Sequence, residues 1–321
     1  MTTSHHTGPD QTQPLALRVG AELAGSFLIC ISIYLLSTFG IVIYGLDLAL
    51  IAVGTALVYT AVTLTLGAFS GGQFNPAVTL AAMLTNKTSV LSGVLYIIAQ
   101  TLGGIAAGAI LKFLLPTSDS VTAKTWLTPV VNGFNEGSVS HATISQAGLS
   151  FGITLAIVVE VVASLIIVAC AMRTIDVNGH SAQHHALSMG VAYGAGAAIC
   201  YPITGAALNP ARATGIAIFA QNQGLSAQPL QQLWVFWVAP VLAAAIVALV
   251  MIIAEMASAK KSRKTKNPDS ADNTADSEST EILEASHLEA SDVDATYPDA
   301  ASQEQYDDSN DSANVGSDSR S

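Results

Sequence analysis

Apolar residues fall along this chain in long blocks separated by polar stretches. Six blocks, about Leu17 to Phe39, Leu46 to Leu66, Val90 to Leu115, Ala147 to Met172, His184 to Ile203 and Leu230 to Met256, reach the ~20 residues a helix needs to cross a bilayer. Two shorter blocks, Ala77 to Leu84 and Ala211 to Ala220, follow the second and the fifth and are about half that length. Each short block opens on the same tripeptide, Asn75, Pro76 and Ala77 in SGGQFNPAVT and Asn209, Pro210 and Ala211 in TGAALNPARATG. Asn before Pro at the start of an apolar run reads as an N-cap followed by the first helical residue, so both copies predict short helices.

Three spans with one half-helix, then the same again, make an internal repeat of odd length, whose halves insert in opposite orientations. The half-helices then enter from opposite sides, and their positive N-terminal ends meet near the midplane. A capping Asn uses its side-chain oxygen on its own first turn and keeps its NH2 group to donate elsewhere. Such a meeting point favours a neutral hydrogen-bond acceptor and disfavours a cation. The carboxylates of Glu22 and Glu160 lie inside apolar spans, 53 residues before Asn75 and 49 before Asn209, and these similar offsets support a duplication. Gly104 with Gly108, and Gly190 with Gly194, are small residues four apart that allow close helix contact in lipid.

Composition agrees with the pattern: 51% of residues are hydrophobic and only 11% charged, unlike an ordinary soluble domain. The charge is segregated, with six basic and eight acidic side chains over residues 1–256 but six and fifteen over 257–321. Residues 258–321, rich in Ser, Asp, Glu and Ala, are expected to form a disordered acidic tail, and residues 1–14 a disordered N-terminus, flanking a membrane domain over 15–257. The first apolar run is too long for a cleaved signal sequence and is expected to be retained. Arg18, Lys87, Arg173 and the cluster Lys260 to Lys266 share one side of six alternating spans, which predicts both termini in the cytoplasm. The polar connector Pro116 to Gln146 then lies outside. Cys30, Cys170 and Cys200 show no ligand spacing and read as buried free thiols.

At the paired Asn-Pro-Ala stretches, with Arg212 directly after the second, the chain resembles the major intrinsic protein family, the aquaporins and glycerol facilitators, in its bacterial form. Supporting stretches are Ala21, Glu22 and Gly25, the segment AQTLGGIAAG from Ala99, Glu160, and WVFWVAP from Trp234. The resemblance implies an all-α membrane protein of six transmembrane helices and two half-helices in an inverted repeat, assembled as a homotetramer in the cell membrane. It gives Glu22 and Glu160 a scaffold role, accepting backbone N–H groups of the adjoining loops that lipid would leave unpaired. It also implies a selectivity ring at Thr55, Ala197, Ala206 and Arg212, or with Leu57 or Val53 in place of Thr55 if the second span shifts register. Three small ring residues match neither the Phe and His of water-selective members nor the Trp, Gly and Phe of glycerol facilitators. Ala213, Phe236 and Trp237 resemble the water group, and Gln73 stands where many members have His. His184 and His185, at the start of the fifth span, read as a solvated interfacial pair in preference to a pH gate.

The expectation is a passive channel for water and small uncharged solutes such as glycerol, excluding ions and protons. It requires no cofactor, metal or nucleic acid. A broader facilitator for glycerol, urea or peroxide is the alternative. A secondary transporter is disfavoured because the midplane residues are amides, not titratable groups, and an enzyme because no nucleophile with a base or metal triad is visible.

Overall fold

The computed structural model describes residues 13–266. Most of the two expected disordered termini therefore lies outside the described residues. Among the described residues, six helices are long and apolar enough to cross a membrane, with mean hydropathy between 1.3 and 2.8. The first, α1 (Leu15–Leu35), continues through a π-helical turn (Leu36–Gly40) and a last α-turn to Tyr44 before stopping at Gly45, whose φ of 60° is left-handed. It follows with α2 (Leu48–Ser70), the half-helix α3 (Pro76–Leu84), α4 (Val90–Leu114), α5 (Ile153–Thr174), α6 (His185–Thr204), the half-helix α7 (Pro210–Ala220) and α8 (Val235–Lys266).

Local chemistry explains most boundaries. Asp47 caps α2 by accepting from the Leu50 N–H at 3.0 Å, and Ser89 caps α4 in the same way. The fourth span begins at Ile153 and not at Ala147, because Ser145–Ala147 forms a 3-10 turn and Gly148 is left-handed. The last span closes by Ala259, but the helix α8 continues to Lys266, so residues 258–266, expected to begin a disordered tail, are helical.

Small side chains dominate the contacts. α2 packs on α6, α1 on α4 and α5 on α6; the half-helix α7 leans on α4 and α1 of the opposite repeat, whereas α3 packs both on α4 of its own repeat and on α5 of the other. A Cβ on Gly104 would collide with the Ala211 carbonyl, and one on Gly108 with that of Gly215, so this pair of glycines seats α7 and not another full span. Gly190 and Gly194 bring α6 against Ala56 of α2. Large apolar side chains such as Leu57, Leu64 and Leu91 are exposed on the outside, where acyl chains would cover them. The buried interior holds the polar groups Glu22, Asn75, Gln100, Glu160, Asn209 and Arg212.

Candidate functional site

Two loops, each four or so residues before a half-helix, face one another at the centre of the fold. Their backbone is held in an unusual shape: Phe74, just before Asn75, has φ 46°, and Leu208, just before Asn209, has φ 56°. Non-glycine residues persist there only when neighbours over-determine the conformation. The over-determination is supplied by the two buried carboxylates. Glu22 accepts from the backbone N–H groups of Gln73 (3.0 Å) and Phe74 (2.7 Å), from the Ser70 hydroxyl (2.6 Å) and from the Gln100 amide (2.7 Å). Glu160 accepts from the N–H groups of Ala207 and Leu208, both at 2.9 Å, and from the Thr204 hydroxyl at 2.5 Å. The same job is done twice by the same atoms.

Each Asn then caps its half-helix. Asn75 Oδ1 accepts from the Ala77 N–H at 2.9 Å, and Asn209 Oδ1 from those of Ala211 and Arg212 at 3.0 and 3.4 Å. The amide nitrogens cross over. Asn75 Nδ2 donates to the Leu208 carbonyl at 2.9 Å, and Asn209 Nδ2 to the Phe74 carbonyl at 2.8 Å, tying the two N-termini together. Each amide's second donation goes to a phenol: Asn75 to Tyr193 Oη at 2.7 Å and Asn209 to Tyr59 Oη at 3.3 Å. The two phenol rings lie face to face, centroids 3.3 Å apart and planes within 6°.

To one side of this meeting point a cavity of about 10 Å³ is walled by Thr55, Tyr59, Tyr201, Ala206 and Arg212. Three of the four expected ring residues are thus brought together. Ala197 is not among the wall residues; it is buried in the core, and Tyr201, one turn along the same helix, takes the wall position. Leu57 and Val53, exposed at 64% and 55%, lie on the outside of the fold. The Arg212 guanidinium is aimed by three acceptors, Asn132 Oδ1 at 2.9 Å, the Ala206 carbonyl at 2.7 Å and the Gly205 carbonyl at 3.2 Å, while its Nε–H has no protein partner.

Asn132 was not expected from sequence. It sits in the connector between α4 and α5, which is not simply a solvated loop. Trp126, Leu127, Val130 and Val131 of that connector are buried, and Asn132 bonds the Thr204 and Gly205 carbonyls as well as Arg212. The apolar segment TWLTPVV was the available signal. On the other side of the meeting point the expected solvated histidine pair is split. His184 is exposed, but His185 is buried, with Nδ1 2.6 Å from Thr174 Oγ1 and Nε2 3.2 Å from the Gly72 carbonyl. Its position on the inward face of α6, against the loop before Asn75, removes it from solvent. Gln73 turns away from the meeting point to donate to Thr88 Oγ1 at 2.7 Å.

Comparison with known proteins places this geometry in context. The family model described as Major intrinsic protein matches residues 14–251. Aquaporin Z of Photorhabdus laumondii is 30% identical over 68% of this chain and 89% of its own length, and Glycerol uptake facilitator protein-like 6 of Lactiplantibacillus plantarum is 28% identical over 67% and 88%. Aquaporin-1 of Mus musculus is 32% identical, and the chain spans about half of that relative, 51%. A solved aquaglyceroporin from Plasmodium falciparum has the same fold, with a TM-score of 0.55 at 19% identity over 74% of this chain and 95% of that one.

Proposed function

We propose, because this chain belongs to the major intrinsic protein family and members of that family are passive channels, that it conducts both water and small uncharged solutes such as glycerol. As a member it is an integral membrane protein and a channel for water, glycerol or both. The observation that carries the finer reading is the pair of Asn amides, each offering one N–H to a hydroxyl oxygen at the point where two helix N-termini meet. A hydroxyl is what water and polyols present. A cation arriving there is opposed by the amide donors and two positive helix ends, and the neighbouring oxygens already accept from those amides, so it is excluded, and a hydrogen-bonded file of water is broken by the reorientation the amides impose.

Thr55 and Ala206 are small wall residues beside Arg212, while Tyr59 and Tyr201 share the same wall and leave a cavity of about 10 Å³, so a molecule larger than water passes only as those aromatic side chains move. The guanidinium's unpartnered Nε–H is a donor for a solute hydroxyl, and its charge repels cations a second time. Both termini lie in the cytoplasm in this reading, with the connector containing Asn132 outside. The channel assembles as a homotetramer in the cell membrane. The test is stopped-flow shrinkage and reswelling of proteoliposomes carrying the full chain. Impermeant osmolyte should give water flux without saturation, glycerol should be followed by reswelling, and no ionic current should accompany either. Flux that required a sodium or proton gradient would replace the channel with a transporter.

A further inference from the structure

Both Asn amides are fully committed, and half of that commitment is to Tyr59 and Tyr193. Neither tyrosine belongs to the outer ring. Tyr59 stands one helical turn after the wall residue Thr55 on α2, and Tyr193 two turns before the wall residue Tyr201 on α6, so both rings lie deeper than those wall positions. Both are buried, at 2% and 0% exposure. Their faces are in contact, and Tyr59 is part of the wall of the cavity lined by Thr55, Ala206 and Arg212. A molecule moving from that cavity to the amides of Asn75 and Asn209 meets the phenols first. It reaches the donors only by taking the place of a phenol hydroxyl.

We propose that Tyr59 and Tyr193 are the specificity-determining residues of this channel, a paired gate in which each hydroxyl holds the solute's place on an Asn amide until a solute hydroxyl displaces it. The proposal rests on the channel reading above. Thr55 and Ala206 are small and Tyr201 supplies the outer wall's bulk, while two further aromatic rings stand inward at Tyr59 and Tyr193, so size is judged again at the point where the amides and helix ends judge charge and hydrogen bonding. The exchange conserves hydrogen bonds: one hydroxyl leaves the amide as another arrives, so a neutral molecule with an accepting hydroxyl passes. A cation cannot take the phenol's place, because the amide offers it no acceptor. Size discrimination then depends on how far the two rings must separate, which is less for water than for glycerol.

The experiment uses the full chain in proteoliposomes, with flux normalised to inserted protein, and compares water with glycerol. Tyr193→Phe keeps the ring and frees the Asn75 amide, so water and glycerol fluxes should both rise about fivefold, the worth of one hydrogen bond, with their ratio unchanged. Tyr193→Ala and Tyr59→Ala remove the bulk as well, so the glycerol-to-water ratio should rise about tenfold, the scale on which a pocket discriminates by size. A tyrosine that merely packs would not move that ratio. A chain that is silent unaltered and conducts as Tyr193→Phe supports the gate. Measurable flux in the unaltered chain, unchanged in rate by Tyr193→Phe and in ratio by either Ala variant, overturns it while leaving the channel standing. If the Ala variants fail to insert, the isosteric Phe variant alone decides. Silence of both the unaltered chain and Tyr193→Phe overturns the channel reading itself.

Discussion

The smallest unit that explains this molecule is a buried polar atom and the partner that satisfies it. Glu160 shows the dependence: Gln at this position keeps the shape but exchanges one accepting oxygen for an NH2, which faces the Leu208 or Ala207 N–H without being able to bond it. Glu160→Gln should therefore cost about 1–3 kcal/mol, the penalty of an unsatisfied buried donor, read as a lower midpoint of thermal unfolding in detergent. Arg212 depends on Asn132 in the same way. Asn132→Ala removes a charge-assisted bond from the guanidinium, and the expected result is looser discrimination among neutral solutes, seen as a raised urea-to-glycerol flux ratio with water flux retained. Cysteine chemistry gives a third residue-level prediction. The Cys200 thiol is buried and donates to the Val159 carbonyl at 3.3 Å, away from the cavity, whereas Ala206 is on the cavity wall. Mercurial block of the unaltered channel should be weak, and Ala206→Cys should create it; strong block abolished by Cys200→Ser would contradict this placement. The capping asparagines were legible in the sequence because their chemistry is local, one side chain acting on its own first turn. Tyr59, Tyr193 and Asn132 were not legible, since each acts on a partner 150, 118 or 80 positions away and nothing beside it in the chain reports that partner.

At the scale of elements, the half-helices are the members most exposed to failure, because they are too short to be held by lipid and are held by neighbours instead. α7 is seated on Gly104 and Gly108 of α4, where backbone meets backbone. Gly104→Val should unseat it, and the measurable outcome is loss of conduction together with a reduced yield of monodisperse protein. α3 is tied at its other end by Lys87, whose ammonium donates to the carbonyls of Met172, at 2.9 Å, and Ile175 at the C-terminal end of α5. Cations near a helix C-terminus satisfy its last carbonyls and complement its dipole. Lys87→Met should destabilise by about 1 kcal/mol, checked by the same thermal midpoint. Lys87 counted in the sequence only as one charge among those that set topology, because the register that brings it to α5 belongs to the tertiary structure. Element lengths were read well where side chains mark them, as at Asp47 and Ser89. They were misread where a backbone device intervenes, such as the π-helical turn that carries α1 to Tyr44 or the left-handed Gly148 that delays α5.

For the whole molecule, the inverted repeat followed from counting spans, since an odd number of crossings per half leaves no other way to insert them. The acidic segment 270–321 lies outside both the described residues and the matched family region, so its deletion should leave flux per inserted channel unchanged; loss of flux with normal insertion would make it part of the channel. A different consequence follows from the crossed amides at the centre, and it concerns the order in which the protein is made. The Asn75 amide donates to the carbonyl of Leu208, 133 positions later, and Asn209 reaches back 135 positions to Phe74. During synthesis the first repeat therefore waits in the membrane with its re-entrant loop incomplete, a long-range closure that comes after all local helix formation. Neither repeat contains its own midplane. A chain cut between residues 118 and 119 and supplied as two pieces should conduct only when both are made together, and the N-terminal piece alone should be cleared by the cell's membrane proteases.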